Sequence, residues 1–195
     1  MSKDISAVKE KTPPVQIEPR YVIKLAGTLL GICVVVALLL GLVNSVTEPI
    51  ISQMQKEKTD AAMRQVLSAE SYEVMDFTAE NVSAMYRAVS GGEQVGFVVE
   101  VTSNGFGGSM KLVIGVDMNG AVTGVSVTKH AETKNIGTKV ADDPSVLDRF
   151  VGMSGTITVN SGANRFDGVS GATVTSKAVT AAVNTALAAV AAAKN

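Results

Sequence analysis

From Leu25 to Val46 the chain reads "LAGTLLGICVVVALLLGLVNSV", without a charged residue. As a helix this run is roughly 33 Å long, which matches the hydrocarbon core of a bilayer. A buried helix in a soluble domain does not ordinarily stay uncharged over such a length. The run therefore reads as a membrane span, and every other segment must lie on one side of a membrane or the other. A cleavable signal peptide is the competing reading. The apolar run exceeds an ordinary signal core, and "NSVTEPIISQ" after it holds no small-x-small cleavage site, so an uncleaved anchor is expected. Arg20 and Lys24 lie just before the span, with Lys3, Lys9 and Lys11 further out; after it comes Glu48, and no basic residue until Lys56. The positive-inside bias then puts the N-terminus in the cytoplasm and the larger domain outside. Cys33, inside the span, reads as a small packing residue.

Four segments follow: a cytoplasmic tail over 1–24, the transmembrane helix over 25–46, a stalk and first helix over 47–70, and an extracytoplasmic domain over 71–195. Pro49 is expected to interrupt the helix before "IISQMQKEKTDAAMRQVLSAE" resumes it. "AMYRAVS" and "QVGFVVEVTS" flank "GGE", while "SMKLVIGVD" and "AVTGVSVTKH" flank "MNG", so two hairpins are expected. "NGFGG" joins them, its glycines allowing positive φ or close approach of another group. "HAETKNIGTKV" reads as a polar loop, "DDPSVLDRF" as a short helix with Pro144 in its first turn, and "GTITVN" as a short strand. A last helix runs from about Ser176 to Ala193. The fold class is α+β, an antiparallel sheet with helices before and after it.

Composition narrows the chemistry. A net charge of −1 offers no basic surface for nucleic acid. With one Cys and one His, neither a disulfide framework nor a Cys- or His-rich metal site is expected. His130 beside Glu132 reads as a surface residue of a polar loop, and Asp142-Asp143 before Pro144 as a helix start.

The remaining signal is "SGATVTS", Ser170 to Ser176, set against an alanine-rich helix. Two readings stand on the residues alone. Gly171 and Ala172 let an anion approach the backbone, the helix start supplies N–H groups and the positive dipole end, and Thr173, Thr175 and Ser176 add hydroxyls, making a phosphate cradle. Equally, Ser or Thr is an ordinary cap.

"SGATVTS" resembles the S/T-G-A-T-x-T motif of proteins that carry covalently attached FMN, with Ser170, Gly171, Ala172, Thr173, Val174 and Thr175 filling it in order. "HAETKNIGTKV" is similar to that family's E-T-P-G-L/I-G segment: Glu132, Thr133, Ile136 and Gly137 match, and Lys134-Asn135 stand in place of Pro-Gly. "NGFGG" resembles a glycine-rich element of the same family. The order of tail, span, stalk, sheet, E-T loop and terminal motif is similar to that of the G subunit of the Rnf electron-transport complex. The related C subunit of sodium-translocating NADH:quinone oxidoreductase, usually longer, is the alternative.

The resemblance implies a phosphoester between Thr175 and FMN, with Ser170, Gly171, Ala172 and Thr173 around the phosphate and Thr133, Ile136 and Gly137 against the flavin. Lys139 is a possible further contact or a solvated lysine. No His or Cys stands beside Thr175 in the sequence to activate it, so the resemblance implies a separate flavin transferase acting outside the cytoplasm. It also implies an electron relay that works with the other subunits of a membrane complex between ferredoxin and NAD. The chain itself has no CxxC cluster, no G-x-G-x-x-G after a strand and no charge in its span, so ferredoxin, NAD and ion pathways are expected elsewhere. Two other classes remain on the residues: a non-redox membrane-anchored module, and a free-standing flavin reductase, which the missing donor site disfavours.

Overall fold

The computed structural model describes residues 19–194; the expected tail up to residue 18, with Lys3, Lys9 and Lys11, lies outside the described residues. The chain divides into two compact units, Met1–Ile51 and Ser52–Asn195.

Helix α1 spans Pro19–Val66, with Pro19 at its first position, where a missing N–H costs nothing. Its apolar residues, among them Leu25, Leu29, Leu30, Leu38, Leu39, Leu40 and Leu42, are exposed. The apolar run on this helix is long enough to cross a bilayer. Pro49 does not interrupt it, contrary to the sequence expectation. In the preceding turn Ser45 and Thr47 donate to the carbonyls of Leu42 and Val43 at 2.9 Å each. Hydroxyl bonds of this kind are one way an apolar helix tolerates the strain around a proline.

In the second unit β1 (Ser71–Met75), β2 (Val82–Ser90), β3 (Glu93–Asn104), β4 (Ser109–Asp117) and β5 (Val122–His130) form one antiparallel sheet in chain order. Both expected hairpins are present. Strand β1 was not expected, because "SYEVM" has no clean alternation of apolar and polar residues; as an edge strand it is mostly exposed.

Alternation along β3 and β4 sends side chains to two separate cores. Phe97, Val99, Val101, Leu112, Ile114 and Val116 face α4 (Thr173–Ala193), whose Ala178, Val179, Ala182, Val183, Ala186 and Val190 are buried. The small side chains of α4 bring its backbone close to the sheet. This helix is also apolar enough to span a bilayer, but here it is a core helix packed on the strands. Val98 and Val113 point the other way, onto Ala62, Met63 and Val66 at the end of α1. Gly115 and Gly124 permit that contact: a Cβ on either would stand within 2.6 Å or 2.8 Å of the Val66 backbone. Thr123 Oγ1 donates to the Val66 carbonyl at 2.6 Å and fixes the same helix end.

After β5 the chain forms α2 (Thr138–Ala141), α3 (Pro144–Leu147) and a 3-10 turn over Asp148–Phe150. The expected short helix at Pro144 is therefore present, whereas "HAETKNIGTKV" is a loop only as far as Gly137. Strands β6 (Thr158–Val159) and β7 (Arg165–Phe166) pair in parallel. Phe150 and Phe166, both buried, stack with ring centroids 4.1 Å apart. They tie the 148–166 segment to the core and so position the residues leading into α4.

Candidate functional site

Helix α4 begins at Thr173, not near Ser176, so Thr175 lies in its first turn. Gly171, at φ +78°, turns the chain just before it, and the Ala172 carbonyl already accepts the Ser176 N–H at 2.9 Å. Burial of Ala172, Thr175, Ser176 and Val179 outweighs the weak helix preference of Thr and Val. The N-cap is Ala172, which makes no side-chain capping bond. The ordinary-cap reading of "SGATVTS" is therefore not what the structure adopts. Ser176 Oγ instead accepts the Val169 N–H at 3.1 Å, and Ser170 is exposed. The helix itself offers no partner to the first-turn N–H groups of Thr173, Val174 and Thr175.

Thr175 is 0% exposed, and its Oγ1 donates to Glu132 Oε2 at 3.2 Å. The fold thus joins the two motifs across 43 positions of sequence. The Glu132 carboxylate also accepts the Phe106 N–H at 3.0 Å and the Gly107 N–H at 3.2 Å, so "NGFGG" closes onto the same group. A Cβ on Gly105 or on Gly137 would come within 1.7 Å of one Glu132 oxygen or the other. Gly137 is buried with an ordinary helical φ of −69°, so the lack of a side chain there makes room for the carboxylate and relieves no backbone strain.

The backbone of Glu132 is fixed separately. Its N–H donates to His130 Nδ1 at 3.2 Å, and His130 Nε2 lies 2.8 Å from Asp142 Oδ1. His130 is therefore a strut of the E-T loop, not the simple surface residue the sequence suggested. Asp143 caps α3, as expected, by accepting the Ser145 N–H at 3.0 Å. Asn135 adopts φ +64°, the left-handed geometry that a Pro-Gly turn would also provide. Thr133 accepts the Ile136 N–H at 3.1 Å and closes this turn; Thr133 and Lys139 are not buried.

Around these polar groups stand three exposed apolar side chains: Phe106 (58% exposed), Val174 (51%) and Ile136 (37%). Each is at or next to a residue in contact with, or packed against, Glu132. Sequence reading singled out Ile136 only. Phe106 and Val174 carry no signal in the sequence that marks them as exposed apolar residues.

A profile of the FMN-binding domain family matches residues 105–188, from the glycine loop to the later turns of α4. Over nearly its whole length the chain is similar to the G subunit of the sodium-translocating ferredoxin:NAD oxidoreductase complex of Acetobacterium woodii, 30% identical over 90% of this chain and 93% of the relative. It is 31% identical to the G subunit of the ion-translocating oxidoreductase complex of Methanosarcina acetivorans, over 87% of this chain and 95% of the relative. The chain belongs to the G-subunit family of ion-translocating oxidoreductase complexes. The C subunit of the sodium-translocating NADH-quinone reductase of Parabacteroides distasonis shares its fold, with a TM-score of 0.51 at 19% identity over 70% of this chain and 92% of that one.

The residues of this G subunit suit an FMN group on two counts. The first turn of α4, without a side-chain cap and with Thr173 and Val174 exposed, presents N–H donors and the positive helix end to a phosphate. The exposed side chains of Phe106, Val174 and Ile136, on the three segments that carry these groups, offer apolar surface to a planar ring.

Proposed function

We propose that this G subunit is a membrane-anchored electron relay of an ion-translocating ferredoxin:NAD oxidoreductase, with FMN joined to Thr175 by a phosphoester and its second unit outside the cytoplasm. The observation that carries the reading is the uncapped first turn of α4, with a hydroxyl at its third position and only small residues before it. Bound FMN would supply the redox chemistry, while the protein holds and tunes it. Thr175 Oγ1 provides the attachment point. Ser170, Gly171, Ala172 and Thr173 would hold the phosphate, and Thr133, Ile136 and Gly137 would lie against the flavin. We take the span as 25–46, the stalk as 47–70 and the flavin domain as 71–195, with the residues before Leu25 cytoplasmic. Arg20 and Lys24 ahead of the apolar run support that orientation. The other subunits of the complex are its redox partners, and a flavin transferase is the partner that loads it.

The test is the intact mass of denatured protein, wild type beside Thr175→Ala, after co-expression with an active flavin transferase. A wild-type gain equal to FMN less water, absent in Thr175→Ala, is the expected result. An unmodified wild type would leave the family's FMN bound non-covalently or not at all.

A further inference from the structure

We propose that Glu132 orients the Thr175 hydroxyl and takes its proton as that hydroxyl is joined to the flavin phosphate. The proposal rests on Thr175 being the acceptor, and it adds a residue to that reaction that comes from the acceptor chain itself. An unassisted threonine hydroxyl is a weak nucleophile. In the fold, the group that meets Thr175 Oγ1 is a carboxylate, at 3.2 Å and within reach for direct proton transfer. Thr175 is wholly buried, so its hydroxyl proton is aimed at Glu132 and not dispersed into water.

Glu132 is held as a positioned base should be. Its side chain takes the Phe106 and Gly107 N–H groups, its main chain is pinned by His130, and Gly105 and Gly137 leave the space it fills. A surface carboxylate serving only solubility would need none of these. Phosphoryl transfer to a hydroxyl elsewhere uses an aspartate in the same role, accepting the hydroxyl proton as the O–P bond forms.

The step balances without any redox change. Thr175 Oγ1 forms a bond to the flavin-side phosphorus of a flavin adenine dinucleotide presented by the transferase. The bond from that phosphorus to the bridging oxygen breaks, AMP leaves with the electron pair, and the hydroxyl proton passes to Glu132 Oε2 and on to water. Because Thr175 is buried, its surroundings have to open for the phosphorus to approach. The backbone of Glu132 is anchored through His130 on β5, which keeps the carboxylate beside the hydroxyl.

The test uses the full chain in detergent, purified transferase and flavin adenine dinucleotide, with labelling followed by intact mass. Glu132→Gln is expected to lower kcat for labelling by about 10²-fold with KM for the acceptor chain little changed, as loss of a base predicts. Glu132→Asp is expected to restore part of the rate. Labelling of Glu132→Gln at the wild-type rate would overturn the proposal. Faster labelling would also overturn it, and would make Glu132 a latch that merely holds the glycine loop shut. If Glu132→Gln does not fold, as judged by circular dichroism, Gly137→Ala displaces the carboxylate while keeping it in the chain. Slowed labelling there supports the role, and an unchanged rate defeats it. Thr175→Ala separates the two readings: if it labels like wild type, the acceptor assignment itself fails, whatever the Glu132 variants do.

Discussion

Gly137→Ala tests the geometry of the site without touching any reacting atom. At φ −69° and ψ −31° an alanine is well tolerated by the backbone, and by chain entropy alone it should stabilise the protein by about 0.4–1 kcal/mol. The structure predicts the opposite sign. The new Cβ would sit 1.7 Å from Glu132 Oε2 and 2.4 Å from its Cδ, so the carboxylate must leave. Swinging a flexible side chain away costs little in itself. What is lost is its set of bonds from Phe106, Gly107 and Thr175. Each contributes about 0.5–1.5 kcal/mol where water competes for the donors, and the Thr175 hydroxyl, being buried, loses its partner outright. After the entropic gain is set against this, a net loss of about 2 kcal/mol is expected, a fall in Tm of roughly 4–8 °C for a unit of this size. Thermal melts of the purified chain read it directly. The double variant Glu132→Ala/Gly137→Ala isolates the cause: with the carboxylate gone, adding alanine at 137 should become neutral or stabilising. A raised Tm in the single variant, or an equal loss in both backgrounds, would refute the carboxylate explanation.

Four further outcomes are expected. Thr175→Ser keeps a hydroxyl in the first turn and should still gain the FMN mass, whereas Thr173→Ala, at an exposed position, should slow labelling with stability changed by no more than about 0.5 kcal/mol. The Ser145 hydroxyl bond holds the Asp143 carboxyl below its ordinary 3.8. The folded protein then binds fewer protons there than the unfolded chain, so this stabilisation is present above 3.8 and is lost as pH falls through the lowered value. Denaturant titrations from neutral to acid pH should therefore show a smaller acid loss in Asp143→Asn than in wild type. For orientation, Val151→Cys in a Cys33→Ser background places a thiol on an exposed position of the second unit. A membrane-impermeant maleimide should label it in intact cells, and labelling only after lysis would reverse the topology.

The anchor, the two hairpins, the capped helix at Pro144 and the alanine-rich terminal helix were legible in the sequence because each follows from a local pattern: unbroken apolarity, alternation around a turn, Asp before Pro, helix formers in series. Strand β1 was not, since an edge strand that buries little carries no alternation. Pro49 misled because an apolar helix accommodates a proline where neighbouring hydroxyls bond within it, as those of Ser45 and Thr47 do. "SGATVTS" marked Thr175, yet the residues around it could not tell a cap from an anion site. Tertiary packing removed the cap reading, with Ala172 and Thr175 buried and the helix starting at Thr173 behind an alanine cap. The encounter of Thr175 with Glu132 and the "NGFGG" amides has no local signature at all. It exists because the sheet places the β3–β4 turn and the end of β5 side by side at the start of α4, and only the folded chain brings segments so far apart in sequence within a hydrogen bond of each other.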